Sequence, residues 1–244
     1  MTENPWIVYP KRNANASRRL FCFPYAGAAA YVFNNWPKFL PHDVEVCAIQ
    51  LPGRGKRLRE PVHTRMSTLC EAVYPALRPL LDKPYTFFGH SMGAMIAFEL
   101  ARLLRRRRDP VPSQLFVSGR RAVQVHEDDP RTYDLPEAEF IQELIRLNGT
   151  PRDVLEHREL LDLMLPLLRA DFELIHMYEY SREPPFAFPI TAFGGLQDDE
   201  VSREQLDAWR EQTTATFRLH MLPGDHFFIH SAQESMLRII SEYV

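Results

Sequence analysis

Three cysteines among 244 residues, at positions 22, 47 and 70, are too few and too widely spaced for a disulfide frame or a zinc site. Set in apolar stretches, they are expected as buried free thiols in a reducing cytoplasm. No apolar run approaches the ~20 residues that a membrane span needs. The opening MTENPWIVYP lacks a basic region followed by an apolar core, so no secretory signal is expected. Glycine is sparse, at ten residues, and none falls in the Gly-x-Gly-x-x-Gly pattern of a dinucleotide-binding turn. Basic residues are not in excess either. Lys and Arg total 29 against 32 Asp and Glu, a net charge of −3, which argues against a nucleic-acid binder. No repeat or low-complexity linker interrupts the chain. No metal, cofactor or membrane partner is expected, and the protein is expected to be a cytoplasmic monomer.

The composition is that of a globular protein, 45% apolar and 25% charged. Its length suits one α/β domain spanning residues 1–244. Short apolar runs alternate with helical patterns. LFCF (20–23), VEVCAI (44–49), YTFF (85–88) and QLFVSG (114–119) read as strands, and residues 92–107 as a helix ending in four arginines. STLCEAVYPALRPLL (67–81) puts Leu69, Val73, Leu77 and Leu80 on one helical face, with Ser67 as its N-cap. Residues 28–40 read as mostly helical until Pro37. Strands alternating with helices imply a mostly parallel sheet covered on both faces. From about 123 to 180 only helical patterns occur, with Pro136 in a first turn and Gly149 at a helix end. Strands resume at 188–195 and 216–222, with helices after each. An all-helical insertion in such a frame is expected to form a lid over the strands' C-terminal ends, with the Leu and Met positions of 160–168 forming the lid core or, as the rival reading, lining an acyl pocket.

Between the third strand and its helix stands Gly89-His90-Ser91-Met92-Gly93. A serine here either caps the helix or occupies a nucleophile elbow, where flanking glycines make room for a sharp strand-to-helix turn. A neutral hydroxyl is a poor nucleophile, so the elbow requires an imidazole and a carboxylate. Of nine histidines, His90 is inside the elbow and points off the wrong side. His126, His157 and His176 fall in the insertion, His42 and His63 in early surface-like segments. Of His220, His226 and His230, His226 in LPGDHFF follows the last strand on a glycine-containing loop. The preceding strand ends in FGGLQDDEVS, offering Asp198 and Asp199, with Asp198 preferred on loop position. The order Ser, Asp, His is that of the α/β-hydrolase arrangement. Oxyanion donors are then expected from the backbone N–H of Met92, after the nucleophile, and of Ala26, after the first core strand.

The stretches LFCFPYAGAAA, LPGRGKRLREP, KPYTFFGHSMGAMIAFEL, LIRLNGTPRDVLEHRELLDLMLPLLRADFELIHMYEY and LPGDHFF together resemble the type II thioesterases of polyketide and non-ribosomal peptide synthesis. They are also similar to the medium-chain thioesterase of fatty acid synthesis. The resemblance implies an α/β-hydrolase fold with a helical lid, a triad of Ser91, Asp198 and His226, and oxyanion donors at Ala26 and Met92. It implies an acyl or peptidyl carrier protein as partner, relieved of aberrant acyl groups on its phosphopantetheine arm. GRGKRLRE (53–60) reads as a solvated basic loop or as a surface for that acidic partner, with Arg54 and Arg57 as docking candidates. Two departures stand out: Ala28 where a second glycine usually follows, and Asp225 where Gly-Gly-His is common. A serine carboxylesterase, an acyltransferase with the same acyl-serine, and a non-catalytic binding module are the rival readings.

Overall fold

The computed structural model describes residues 4–126 and 130–244. Six of its strands arise where apolar or alternating runs predict them: β2 (Arg18–Phe23), β3 (Val44–Ile49), β4 (Tyr85–His90), β5 (Leu115–Ser118), β6 (Ile190–Gly195) and β7 (Phe217–Leu222). A further edge strand, β1 (Ile7–Val8), is too short to carry a readable period. Among the described residues the strands form one sheet in the order β1-β3-β2-β4-β5-β6-β7. β1 runs antiparallel to β3, and every other pairing is parallel.

Side chains alternate across the sheet, and each face has its own helical layer. Phe21, Phe23, Phe87, Leu115 and Val117 pack with α1 (Met66–Leu77) and α2 (Met92–Arg107) on one face. Leu20, Cys22, Phe88, Phe116 and Phe193 meet α7 (Phe228–Ser231) and α8 (Gln233–Ser241) on the other. Burying each such large apolar side chain contributes roughly 1.5–3 kcal/mol against leaving it in water. Between β6 and β7 lies the short α6 (Arg203–Asp207), which opens with a complete Ser202–Gln205 capping box. Cys22, Cys47 and Cys70 are buried free thiols. Among the described residues, no helix is long and apolar enough to cross a membrane.

Between β5 and β6 come α3 (Glu137–Leu147), α4 (Arg152–Glu156) and α5 (Arg158–His176). Their shared core is Phe140, Leu144, Leu161, Leu165 and Leu168, so the 160–168 stretch is mainly internal packing. Residues 127–129 of the expected insertion lie outside the described residues.

Four local expectations are corrected. Residues 28–40 form two 3-10 turns, Ala30–Phe33 and Trp36–Lys38, the second carrying Pro37 within it. Ser67 lies inside α1, because Arg65 takes the extended conformation that precedes the first turn. Pro136 is the residue before α3, one position earlier than expected. Asn148, at φ 56°, is the left-handed residue that ends α3, a conformation asparagine tolerates. Gly149 serves packing instead: a Cβ there would sit 2.3 Å from the Phe227 ring. The arginine run at the end of α2 is tied down by ion pairs, Arg105 and Arg106 each reaching Glu183 at 2.7 Å.

His90, the last residue of β4, is fully buried and shares a 2.9 Å hydrogen bond with Ser118 Oγ through Nδ1. Burial, reinforced by His226 and His230 nearby, holds its pKa well below the ordinary histidine value. The unfolded chain therefore takes up this proton first as pH falls through about 6.5, and His90's contribution to stability is lost toward acid. His63, His220 and His230 are shifted in the same direction, each chiefly by burial. The urea midpoint is expected to be lower at pH 5.5 than at pH 7.5, in a range where carboxylates change little. His90→Asn, which keeps a partner for Ser118, should narrow that gap; an unchanged gap would remove His90 from the account.

Candidate active site

Ser91 is the single residue between β4 and α2, at φ 52° and ψ −116°, a conformation costly for a non-glycine residue. Its own N–H donates to Ser118 O on β5 at 2.8 Å, and its carbonyl accepts from Ala94 N–H at 3.0 Å. Backbone contact explains the glycines on either side. A Cβ on Gly89 would lie 2.1 Å from Gly93 O, and one on Gly93 would lie 2.1 Å from Phe23 O. The turn thus lifts Ser91 to the C-terminal rim of the sheet with α2 pressed against the end of β2. No side-chain cap bond forms, so helix capping does not account for the serine.

Asp198 follows β6 and His226 follows β7, neighbouring parallel strands whose loops are bonded to each other. Leu196 N–H donates to Leu222 O at 2.8 Å, and Gln197 N–H to Gly224 O at 3.0 Å. Gln197 Oε1 accepts from Gly224 N–H at 2.7 Å. Gly195 permits this approach, since a Cβ there would stand 2.4 Å from Asp225 O. His226 Nδ1 and Asp198 Oδ2 are consequently 2.9 Å apart. The other oxygen of Asp198, Oδ1, accepts from Glu200 N–H at 2.9 Å and Val201 N–H at 3.2 Å. With its side chain fully buried and three donors around it, Asp198 is built as a charged acceptor. Asp199 is exposed on the cavity side instead.

Ser91, His226, Tyr25 and Ala26 line one cavity of about 1010 Å³. Leu144, Leu168 and Phe172 of the insertion form part of its wall, with Arg120, Arg121 and Glu179 among the polar lining. The N–H groups of Ala26 and Met92 have no hydrogen-bond partner among the described residues. The competing histidines lie elsewhere. His220 stacks on Phe193 within the sheet, and His230 bonds Tyr25 Oη at 2.9 Å. Burial pushes the Tyr25 hydroxyl up to about 12, so it stays protonated.

Arg54 and Arg57 are not on the surface. Arg54 is 4% exposed, its guanidinium forked onto Asp171 of α5 at 2.7 and 2.8 Å. Arg57 is 6% exposed, lies over the Trp6 ring and bonds Glu60 at 3.0 Å through Nε. Neither can meet a docking protein, because each charge is already spent inside; the exposed cations of that loop are Lys56 and Arg59. Sequence reasoning missed Asp171. The only available signal was an acidic residue in the otherwise apolar face of a long helix.

The chain matches the thioesterase domain family over residues 18–243. It is 46% identical over 237 residues to the gramicidin S biosynthesis protein GrsT of Aneurinibacillus migulanus, covering 97% of this chain and 93% of that one. It is 44% identical over 238 residues to a protein named linear gramicidin dehydrogenase LgrE, of Brevibacillus parabrevis, covering 96% and 90%. In shape it resembles the type II thioesterase BorB from the borrelidin biosynthetic cluster, at a TM-score of 0.89 and 32% identity over 98% of this chain and 97% of that one. Sequence and architecture agree across nearly the whole length, and the chain belongs to the thioesterase family.

Proposed function

We propose that this thioester hydrolase is a type II, editing enzyme that clears acyl groups from the phosphopantetheine arm of acyl or peptidyl carrier proteins in polyketide or non-ribosomal peptide biosynthesis. Ser91, His226 and Asp198 are its triad. The observation that carries the reading is the 2.9 Å contact of His226 Nδ1 with a buried carboxylate, on the wall of the cavity that also receives the strained Ser91. The biosynthetic settings named for GrsT and BorB support the choice of substrate. The name of LgrE speaks of redox chemistry. The sequence here has no Gly-rich dinucleotide turn, and serine, imidazole and carboxylate favour acyl transfer to water.

With Nδ1–H committed to Asp198, the Nε2 lone pair of His226 is available to the serine. Ser91 Oγ bonds to the thioester carbon while Nε2 takes its proton. The carbonyl oxygen becomes an oxyanion held by the N–H groups of Ala26 and Met92. The C–S bond then breaks, and the sulfur leaves with the proton from His226. A thiol of pKa ~8.5 needs much less acid assistance than an amine. Water attacks the acyl-serine, its proton passes through His226 to Ser91 Oγ, and the free acid departs. Helices α3 and α5 act as the lid over this reaction, within a single α/β-hydrolase domain. The three buried free thiols support a cytoplasmic setting.

Incubating a panel of acylated carrier proteins with the enzyme should regenerate the free phosphopantetheine thiol, read as loss of the acyl mass by intact mass spectrometry. Matched oxygen esters turned over with equal or higher kcat/KM would favour a carboxylesterase. Dependence on an added amine or alcohol would favour an acyltransferase.

Ser91→Ala is expected to lower kcat by on the order of 10⁶, and a variant keeping a tenth of the activity would refute the nucleophile. Asp198→Asn should preserve the fold and lower kcat by about 10⁴, because the wrong imidazole tautomer then faces the serine. Fluorophosphonate labelling of Ser91 should slow in parallel; an unchanged labelling rate would detach Asp198 from the triad.

A further inference from the structure

We infer that Asp171 and Arg54 are positioning residues for the oxyanion loop: helix α5 of the insertion supplies the carboxylate that aims the backbone beside Ala26, and Arg54 cancels that carboxylate's charge. The inference rests on the reading above, in which Ala26 N–H receives the oxyanion.

Three segments far apart in sequence meet at this point. Gly27 N–H, the amide immediately after that of Ala26, donates to Asp171 Oδ2 at 2.7 Å. Arg54 bonds the two oxygens of Asp171 from Nη1 and Nη2 at 2.8 and 2.7 Å, and its Nη1 also donates to Ala28 O at 3.2 Å. Its Nε donates to Pro52 O at 3.2 Å. Both side chains are almost wholly buried, 5% exposed for Arg54 and 3% for Asp171. A buried ion pair contributes little net stability relative to apolar side chains of the same volume, so stability alone does not explain this one. What it fixes is geometry.

The loop is held at several further points. Ala28 N–H donates to Tyr25 O at 3.1 Å, and Ala30 N–H to Gln50 Oε1 at 3.2 Å. Gly27 sits at φ 76°, and a Cβ there would come within 2.6 Å of Leu168 Cδ2. Leu168 is one turn before Asp171 on the same face of α5, so one helix both packs against Gly27 and holds its N–H. Ala26 N–H, which has no hydrogen-bond partner among the described residues, lines the cavity beside these held amides. Without its acceptor, Gly27 has the conformational freedom to rotate its peptide and disturb that donor. A lone carboxylate so near the hole would repel the oxyanion, and the bidentate guanidinium removes that repulsion while leaving the acceptor in place.

The test compares two double variants with the wild type. R54M/D171L removes the charge pair and the acceptor, whereas R54M/D171N removes the pair and keeps an amide oxygen for Gly27 N–H. Each is assayed on a soluble acyl-N-acetylcysteamine thioester, and against a trifluoromethyl ketone whose serine adduct needs the oxyanion donors. R54M/D171L should lose about a hundredfold in kcat and a similar factor in ketone affinity, with KM within about threefold of wild type. R54M/D171N should recover most of both losses. Equal kcat in R54M/D171L and wild type, a kcat loss with unchanged ketone affinity, or equal losses in the two variants would each overturn the inference. If R54M/D171L does not fold, amide exchange in the wild type decides: slow exchange at Gly27 together with rescue in R54M/D171N supports the clamp, and exchange as fast as an exposed loop amide overturns it. A wild type that neither cleaves the thioester nor binds the ketone would refute the serine-hydrolase reading itself. A competent wild type with indifferent variants refutes only the positioning role.

Discussion

The chemistry of this molecule depends on one contact between backbones, where the start of α2 presses on the end of β2 and on the end of β4. Gly89 and Gly93 leave no Cβ between these segments, and the strain falls on Ser91 at φ 52°. Such strain persists only where its surroundings over-determine it. Here they are a fully buried sheet centre, the Ser91 N–H bond to Ser118, and an α2 that is apolar over most of its length. The interior is thus arranged to force a small polar side chain up to the rim, not to hide it.

The buried carboxylates near that rim are satisfied in two different ways. Asp198 is surrounded by backbone N–H groups and the imidazole, with no Lys or Arg ion pair among the described residues, which suits the proposed role of steadying a developing imidazolium. Asp171 is forked by a guanidinium and neutralised outright. The two carboxylates are both buried and hydrogen-bonded, but Asp171 is paired with a guanidinium whereas Asp198 meets the imidazole.

Much of this was readable in the residues. Five of the parallel strands are largely buried and stand out as short apolar runs, while β7, half-buried at the sheet edge, shows by the alternation of FRLHML. The Ser, Asp, His order was readable because each residue follows a strand in a glycine-containing stretch. The helical reading of 28–40 failed because apolar periodicity does not distinguish an α-helix from successive 3-10 turns that bury Phe33 and Trp36. The assignment of Arg54 and Arg57 to the surface failed for a different reason. A cluster of cations in a loop looks solvated unless its partners are known: Asp171 lies 117 positions from Arg54, and the Trp6 ring that covers Arg57 lies in a separate segment. Long-range pairing of buried charges leaves no periodic trace.

The loops after β6 and β7 are laced together by Leu196, Gln197, Leu222 and Gly224, so the imidazole and its carboxylate ride on one rim, while the serine follows β4, two strands from β6 and three from β7. Under the proposed triad, warming that loosens the sheet edge is expected to move the imidazole and its carboxylate together, with the tautomer preserved and the hydroxyl left behind. On that reading, thermal inactivation should begin as a loss of reach between intact parts, before any of those parts comes undone.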